Sequence, residues 1–362
     1  MKTKPSIAFY GSSLVSAYWN GAATYYRGII KYLHRLGYDI TFYEPNAYSR
    51  QENRDMPDPD WAKVVVYSNS RSALEEALEA GSRADILVKA SGVGVFDDIL
   101  ERAVLEMRKP NQKVIFWDVD APATLDTVIG HDEAPFKRLI PQYDYILTYG
   151  GGDPVVNAYK SLGARECIPV YNAVDPETHF PVSPEERFSC DLSFLGNRLP
   201  DREERVKTFF FRVASRMPYK EFLLGGNGWD DIDFPSNIRY VNHVFSKDHN
   251  AFNSSSAFVL NISRQSMADY GFSPATRVFE AAAAGACVIT DYWKGIDEFF
   301  TPGKEILVAK NSNEVEYFLS DMGREETAEI GYNALKRVLA DHTYEKRARL
   351  LNRIFSEQEV LY

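Results

Sequence analysis

Short runs of β-branched and aromatic residues alternate with segments of helical periodicity along most of this chain. In the first half, the predicted strands are residues 7–10, 39–43, 64–67, 86–89, 114–117 and 145–148. A helix between successive strands is typical of a parallel sheet that helices cover on both faces. The alternation therefore predicts one doubly wound α/β domain in the first half of the chain.

A second series of predicted strands occupies residues 191–195, 221–224, 238–240, 257–260, 287–290 and 306–308. The two series begin alike, because IAFYGSS and DLSFLGN each place a glycine and a small polar residue between a strand and a helix. This similarity predicts two Rossmann-like domains that face each other across a cleft. Ligands of open parallel sheets bind beyond the carboxyl ends of the strands, so residues that directly follow strands are the site candidates.

The segment between the two series, residues 168–188, contains Pro176, Pro181 and Pro184 and shows little periodicity. Such a segment is typical of an interdomain linker. The predicted domains are residues 1–178 and 179–345. The basic amphipathic stretch that follows, residues 346–362, is predicted to be a helix that packs one face on the fold, in preference to one that rests on anionic lipid.

The charge balance excludes some classes of partner. The 362 residues include 41 Lys and Arg against 51 Asp and Glu, a net charge of −10, and no basic run predicts a nucleic-acid surface. No apolar run reaches the 18–20 or so residues of a membrane span, and the first apolar run is too short for a signal peptide. The three cysteines fit no metal-ligand spacing and are predicted to be reduced. We therefore expect a cytoplasmic protein with no integral membrane association.

The most informative segment is residues 270–291, YGFSPATRVFEAAAAGACVITD. Ser273 as N-cap and Pro274 at the first helical position predict a helix start, whose free amides form an anion site. Arg277 lies one turn into this helix, suited to a phosphate, and Glu280 follows on the same face, suited to ribose hydroxyls. An ordinary i,i+3 surface salt bridge explains the spacing equally well. The apolar character of the helix favours the first interpretation, because buried charge is costly unless it is used.

At these residues the sequence resembles a known family. SPATRVFEAAAAGACVITD, with IDEFFTPGKEILV after it, resembles the donor-nucleotide motif of GT-B glycosyltransferases, in particular the group similar to the spore-maturation protein CgeB. DLSFLGN, FLLGGNGW and VLNISR upstream also fit, and the resemblance is specific over residues 191–308. It implies a GT-B fold in which the second domain holds a nucleotide-diphosphate sugar, the first holds an acceptor, and the last helix crosses back to the first domain.

The resemblance also implies residue roles. Arg277 would contact the diphosphate and Glu280 the ribose, while the phosphates would lie against the segment formed by Ser273, Pro274, Ala275 and Thr276. Large retaining GT-B families carry a second glutamate eight positions before the ribose glutamate, but here that residue is Phe272. Inversion or retention of the anomeric configuration therefore stays open.

Further donor-site candidates follow strands of the second domain. They are Asn197, the run Gly225, Gly226 and Asn227, Tyr270 as a stacking group, and His243 near the nucleobase. Glycines at these places permit close approach of a ligand or positive φ, although plain tight turns would use the same residues.

In the first domain, Gly11, Ser12, Ser13, Asn20 and Gly21 form a polar loop before a helix. The loop matches neither GxGxxG nor a P-loop, so we predict an acceptor or cleft loop that closes over the diphosphate and not a phosphate cradle.

Asp118 and Asp120 follow an apolar strand in WDVDAP. A D-x-D pair is how metal-dependent transferases of the GT-A class hold Mg²⁺ or Mn²⁺, but two Rossmann-like halves argue against that class. Asp120 is the preferred general base for an acceptor hydroxyl, with Asp118 and His131 as alternatives. Helix capping and loop hydrogen bonding are the structural alternatives.

Together these features predict a metal-independent glycosyltransferase of the hexosyl type, with a nucleotide sugar as substrate and no cofactor. Its acceptor is unidentified: a small molecule, a glycan or a protein. The alternatives are a sugar-nucleotide epimerase of GT-B fold and an inactive nucleotide-sugar-binding protein. A nicotinamide-dependent oxidoreductase is remote, because no dinucleotide fingerprint follows the first strand.

Overall fold

The computed structural model describes residues 5–356, which form two compact units. The first unit joins residues 5–171 to residues 344–356, and the second is Asn172–Thr343. The predicted final segment, 346–362, continues past this range, so its last six residues lie outside the described part of the chain. None of the helices within residues 5–356 has the length and apolar character needed to cross a membrane.

The first unit contains a parallel sheet of seven strands. They are β1 (Ser6–Tyr10), β2 (Asp39–Asn46), β3 (Lys63–Ser68), β4 (Ile86–Ala90), β5 (Lys113–Asp118), β6 (Tyr145–Thr148) and β7 (Cys167–Pro169), in the order β3-β2-β1-β4-β5-β6-β7. The strand order reverses between β1 and β4, which pair in register from Ile7 opposite Ile86. Each of the six predicted strands is confirmed, and β7 is an additional short edge strand.

Six helices belong to the first unit: α1 (Ala23–Arg35), α2 (Arg71–Gly81), α3 (Asp97–Glu106), α4 (Ala121–Val128), α5 (Gly152–Ser161) and, numbered by its place in the chain, α13 (Tyr344–Phe355). The α13 helix packs on α1, where Gly28 leaves room for the ring of Tyr344. The Tyr38 hydroxyl donates to Asn352 Oδ1 at 3.0 Å. These contacts make the C-terminal helix part of the first unit.

Aromatic side chains form the centre of the first core. The ring of Phe9 stacks on Phe42 at 5.1 Å and lies 5.7 Å from Trp117. The buried Trp117 Nε1–H donates to the hydroxyl of Tyr25 at 2.9 Å, and that hydroxyl donates to the carbonyl of Val170 at 2.6 Å. The polar atoms of two large rings are thereby satisfied inside an apolar core.

The second unit contains a parallel sheet of six strands. They are β8 (Cys190–Leu195), β9 (Phe222–Gly225), β10 (Ile238–Tyr240), β11 (Ser256–Asn261), β12 (Val288–Asp291) and β13 (Leu307–Ala309), in the order β10-β9-β8-β11-β12-β13. The order reverses between β8 and β11. All six strands match the predicted positions to within about two residues, and the predicted α/β class with two parallel sheets is confirmed.

The helices of the second unit are α6 (Pro200–Val206), α7 (Arg212–Arg216), α8 (His249–Ser255), α9 (Gln265–Tyr270), α10 (Thr276–Ala283), α11 (Ser312–Asp321) and α12 (Arg324–Asp341). A π-helical turn, Lys207–Phe211, joins α6 to α7 without a break. It places Phe210 in the core against Phe194 and Phe222.

The segment predicted as a linker lies within the second unit from Asn172 onward. Backbone amides of Phe180, Val182 and Glu185 donate to side chains of α8, and Asn250 of that helix donates back to the carbonyl of Thr178. The boundary between the two units lies between Tyr171 and Asn172, inside the predicted linker, and the part of the segment that follows Thr178 is hydrogen-bonded to α8. Proline-rich backbone without periodicity is fixed here by side chains of a helix about seventy residues later.

Candidate functional site

The start of α10 differs from the prediction. The helix begins at Thr276 with Ala275 as N-cap, and the Ser273 hydroxyl donates to the carbonyl of Gly271 at 2.9 Å. The assignments of Ser273 as N-cap and Pro274 as first helical residue were therefore wrong. Gly285, with φ +76°, follows the last turn as expected.

The buried side chain of Asn172 explains this late start. Its amide Nδ2 donates to the carbonyl of Pro274 at 3.1 Å, and its Oδ1 accepts from the hydroxyl of Thr276 at the same distance. Ala275 is extended, with ψ 147°, so the first turn closes only when its carbonyl accepts from the Val278 amide. A partner about a hundred residues earlier sets the helix boundary.

Arg277 lies in the first turn of α10. Its guanidinium carbon is 5.8 Å from the centre of the Phe194 ring, within the range of a cation–π contact. Burial lowers the pKa of Arg277. No hydrogen bond or ion pair from residues 5–356 reaches this guanidinium, so the predicted alternative of a salt bridge to Glu280 is not formed.

A second arginine, Arg202 in α6, approaches the same ring. Its guanidinium carbon lies 5.5 Å from the centre of Phe194, and it donates to the carbonyl of Asn197. Its Nε is buried, with no hydrogen-bond partner in the described part of the chain. Burial, followed by repulsion from Arg277 and Arg264, lowers the pKa of Arg202 to about 9.

Other charged groups near the carboxyl ends of the strands in the second sheet are paired. We refer to this end of the second sheet as the second edge, and to the corresponding end of the first sheet as the first edge. Buried Asp291 accepts from Arg205 at 2.8 Å and from the amide and hydroxyl of Ser263. Asp201 accepts from Arg264 at 3.0 Å. The edge therefore contains two guanidinium groups, Arg202 and Arg277, that face one ring and lack a carboxylate. We refer to them as the arginine pair.

Arg202 was not predicted from the sequence, although a signal exists. Pro200 begins α6 with an arginine two residues later, and Pro274 precedes α10 with an arginine three residues later. A proline near a helix start, followed by an arginine, therefore occurs in the chain after β8 and again after β11. These are the two strands between which the order reverses, so the sheet brings the two arginines close together.

Glu280, on the next turn of α10, has two imidazole neighbours. Its Oε1 lies 3.6 Å from His179 Nε2, and both side chains are mostly buried, with exposures of 13% and 11%. His249 completes a group whose potential ligand atoms all lie within 4.8 Å of one another. Burial lowers the pKa of His249. Neither histidine was among the predicted site residues.

The predicted glycine loops contact each other. A Cβ on Gly226 would lie 2.3 Å from the carbonyl oxygen of Gly196, and Asn197 Oδ1 accepts from the amide of Asn227 at 2.9 Å. A Cβ on Gly225 would meet Leu195 at 2.8 Å. Glycine is required here by the approach of one loop to the other.

Two further donor candidates lie at the margin of this region. Tyr270 is the last residue of α9, directly before Gly271 with φ +74°. His243 is exposed in the loop after β10, with its ring 4.6 Å from that of Phe245 and nearly perpendicular to it. Their predicted roles in stacking and in nucleobase recognition stay predictions.

In the first unit, Asp118 ends β5 and is fully buried. Its Oδ1 accepts from the hydroxyls of Ser91 and Thr124 at 2.8 and 2.9 Å, and its Oδ2 accepts from Tyr159 at 2.5 Å. Burial raises the pKa of this carboxyl. These hydrogen bonds favour the structural alternative for Asp118.

The other two predicted catalytic groups lie close by along the chain. Asp120 is half-buried at the N-cap of α4, and its backbone amide donates to Asp118 Oδ1 at 3.1 Å. His131 is exposed in the turn after α4, where its carbonyl accepts from the amide of Ala134. Asp118 therefore orients the loop that carries Asp120.

The loop after β1 satisfies its own polar groups. Ser12 donates to Asn20 Oδ1, and the Asn20 amide donates to the carbonyl of Ser13. Ser13 donates to buried Glu44, which also accepts from the amide of Leu14. Gly11 is required because the ring of Phe42 fills the space of a Cβ, and exposed Gly21 faces open space.

Arg50, which was not predicted, also lies at the first edge. It is 7% exposed and donates to the carbonyls of Ser12 and Val93 at 3.2 Å. It thereby connects the loop after β1 to the loop after β4, the two strands between which the order reverses.

Comparison with known proteins gives one family model and many solved structures. Residues 202–353 match the family model described as glycosyl transferase-like. No curated protein sequence matches the chain. The family model covers the arginine pair and Glu280, and of the first unit it covers only residues 344–353 of α13.

Solved structures match over nearly the whole chain. Sucrose-phosphate synthase from Thermosynechococcus elongatus has a TM-score of 0.69 at 13% identity, with 98% of this chain and 99% of that chain covered. HepE from Anabaena, solved with UDP and glucose, has a TM-score of 0.70 at 11% identity over 98% and 100% of the chains. An α-glucosyltransferase solved with UDP and DNA has a TM-score of 0.71 at 13% identity over the same shares. The chain therefore has the GT-B fold of glycosyltransferases, and its residues 202–353 match the glycosyl transferase-like family.

Proposed function

We propose that the protein is a glycosyltransferase that moves a sugar, a hexose in the simplest case, from a UDP-sugar to an acceptor. The observation that carries this proposal is the arginine pair at the carboxyl edge of the second sheet. The two guanidinium groups are half-buried without a carboxylate partner in residues 5–356, and the Arg202 Nε is a buried atom without a hydrogen bond, which is costly in the free protein. A diphosphate would supply the missing hydrogen bonds and charge balance. The choice of uracil is supported by HepE and the α-glucosyltransferase, both solved with UDP.

The proposed chemistry needs charge stabilisation more than covalent steps. Cleavage of the bond between the anomeric carbon and the diphosphate leaves negative charge on the phosphate oxygens. In this proposal the arginine pair and the first amides of α10 stabilise that charge. They would do so without a divalent cation. Glu280 would accept hydrogen bonds from the ribose hydroxyls of the same nucleotide.

On the acceptor side, Asp120 is the proposed general base. Asp118 would act as a positioning residue, because its own oxygens are engaged by Ser91, Thr124 and Tyr159. His131 is the second candidate. Membership of the CgeB-like group and a cytoplasmic location are part of this proposal and rest on the sequence.

The test is calorimetric binding of UDP and UDP-glucose in the presence of EDTA. Arg277→Ala and Arg202→Ala are compared with Arg216→Ala, whose exposed guanidinium pairs with Glu316 in the same unit. We expect UDP binding to weaken about 10- to 100-fold in the first two variants and to be unchanged in the control. Equal affinity in all three proteins, or binding that EDTA abolishes, would contradict the proposal.

Measurements of turnover distinguish sugar transfer from epimerisation and from binding without catalysis. Release of UDP from UDP-glucose should depend on an added acceptor. Conversion of the sugar without any acceptor would identify an epimerase, and tight UDP binding with no turnover across an acceptor panel would identify a binding protein.

A further inference from the structure

His179, His249 and Glu280 come together in the second unit from three separate elements. His179 precedes the stretch that runs along α8, His249 begins α8, and Glu280 lies on α10. Their potential ligand atoms all lie within 4.8 Å of one another. The hydrogen bonds around the two rings indicate which nitrogen of each neutral ring carries the lone pair.

The tautomer of His179 is set by Thr178. The Thr178 hydroxyl donates its proton to the carbonyl of Asp175 at 3.1 Å, so it can only accept from His179 Nδ1, 2.9 Å away. The Nδ1–H of His179 is thereby occupied. In the neutral ring the lone pair is then on Nε2, the atom that faces Glu280 at 3.6 Å.

The tautomer of His249 is set in the same way. Its Nε2 lies 3.2 Å from the carbonyl of Val244, and a carbonyl can only accept, so Nε2 carries the proton. The lone pair of the neutral ring is therefore on Nδ1. Each imidazole donates its outer N–H to an oxygen of the surrounding chain, which is the arrangement that orients histidines as metal ligands.

We infer that His179, His249 and Glu280 form a binding site for a divalent transition ion of the Zn²⁺ type. Two imidazole nitrogens and one carboxylate oxygen are a ligand set common at zinc sites with an open position, and imidazole selects Zn²⁺, Co²⁺ or Ni²⁺ over Mg²⁺. Tetrahedral ligands at about 2.0–2.1 Å from zinc are about 3.4 Å apart. The side chains must therefore close by about 1 Å around the ion.

The site has a consequence that rests on the proposed function. Glu280 is also the proposed ribose ligand, and one carboxylate cannot hold an ion and a ribose diol at the same oxygens. Ion and nucleotide sugar should therefore exclude each other. Transition ions would act as competitive inhibitors of donor binding, in contrast to the activating metal of D-x-D transferases.

The ion site is tested on the full chain, freed of metal with EDTA and then dialysed. Zn²⁺ is titrated calorimetrically and Co²⁺ by its visible absorption, for the wild type, His179→Ala, His249→Ala and the control His34→Ala at the end of α1. We expect one ion per chain in the wild type and the control, with affinity about 100-fold lower in either site variant. The conservative variant His179→Gln and a circular dichroism spectrum of each variant show whether a loss of Zn²⁺ affinity is due to misfolding. Zn²⁺ affinity that is equal in all variants would overturn the inference.

Competition is measured with UDP-glucose at several fixed Zn²⁺ concentrations. UDP-sugars themselves chelate Zn²⁺, so the double variant His179→Ala/His249→Ala serves as the reference for this effect. For each protein, the affinity for UDP-glucose with Zn²⁺ is compared with its affinity without Zn²⁺. Apparent donor affinity should fall further with Zn²⁺ in the wild type than in the reference. Identical curves would overturn the shared role of Glu280. Arg277→Ala should keep its Zn²⁺ affinity, so a failure of the donor proposal is distinguishable from a failure of the ion site.

Discussion

The carboxyl edges of the two sheets differ in whether the charged side chains described below have partners of opposite charge or hydrogen-bond donors within the protein. At the first edge, Glu44 and Asp118 accept hydrogen bonds from neighbouring side chains, and buried Lys89 lies 2.5 Å from Asp97. At the second edge, Arg202 and Arg277 face the ring of Phe194 without a carboxylate. The buried carboxylates and Lys89 of the first edge have partners within the protein, whereas the two arginines at the second have no carboxylate partner in the described part of the chain.

This difference distinguishes charged groups that stabilise the fold from charged groups that are available to bind a ligand. A buried ion stabilises a fold only when its hydrogen bonds are made within the protein, and otherwise it lowers stability until a ligand provides them. Removal of Asp118 should therefore destabilise the first unit, whereas removal of Arg202 should spare or stabilise the second. The four predictions below test that contrast.

The largest effect is expected from Asp118→Ala. Its loss leaves the buried hydroxyls of Ser91, Thr124 and Tyr159 without their acceptor, which should lower the free energy of unfolding by about 3 kcal/mol or more. Urea unfolding measures this, with Asp126→Ala on α4 as an exposed control. A loss below about 1 kcal/mol would remove the contrast between the edges.

The arginine pair should behave in the opposite sense. In Arg202→Ala, relief of burial and of repulsion from Arg277 should leave the stability of the free protein within about 1 kcal/mol of the wild type or above it, while UDP binding loses about 2 kcal/mol. Thermal melts with and without UDP give both quantities. A variant that unfolds readily without ligand yet binds UDP normally would show that Arg202 is structural.

A finer comparison lies within the second unit. Like Asp118 in the first unit, the buried side chain of Asn172 makes its hydrogen bonds within the protein, to Pro274 and Thr276 at the start of α10. Asn172→Ala should cost about 2 kcal/mol, while Ser273→Ala, which removes one hydrogen bond to Gly271, should cost about 1 kcal/mol or less. Equal costs from urea unfolding would restore Ser273 as a cap.

The smallest effect is a pH dependence at the first edge. Burial raises the folded pKa of Asp118 above the ordinary value for an aspartate, so between these two values the native state binds more protons than the unfolded chain. The contribution of Asp118 to stability should therefore decline as pH rises through that window and stay constant above it. Unfolding of the wild type and Asp118→Asn between pH 4 and 7 measures the difference. A contribution that grows with pH would reverse the assigned sign.

Local sequence patterns predicted most of the architecture. Twelve of the thirteen strands were predicted, since period and β-branched composition are local properties. The missed strand, β7, has three residues and ends in Pro169, too short for any period. The hydrogen bonds that hold the segment after it were not predicted, because their partners lie on α8, about seventy residues later.

The candidate site divides along the same line. Arg277 and Glu280 were predicted from a helix start, an apolar helix and a family resemblance, all contained in about twenty residues. Arg202, His179 and His249 were missed because their chemistry depends on neighbours far along the chain. The boundary of α10 was misplaced for the same reason, since Asn172 is about a hundred residues away.

Periodicity and local preference are therefore enough to specify the two α/β series, their parallel strands and the charged helix α10. Which charges are satisfied depends on how the chain is folded. The fold gave Asp118 three hydroxyl donors, left the arginine pair around Phe194 without a carboxylate partner in the described part of the chain, and placed two imidazoles beside Glu280. Electrostatic energy depends on distance in space and on burial, and neither quantity is a property of a residue's place in the sequence.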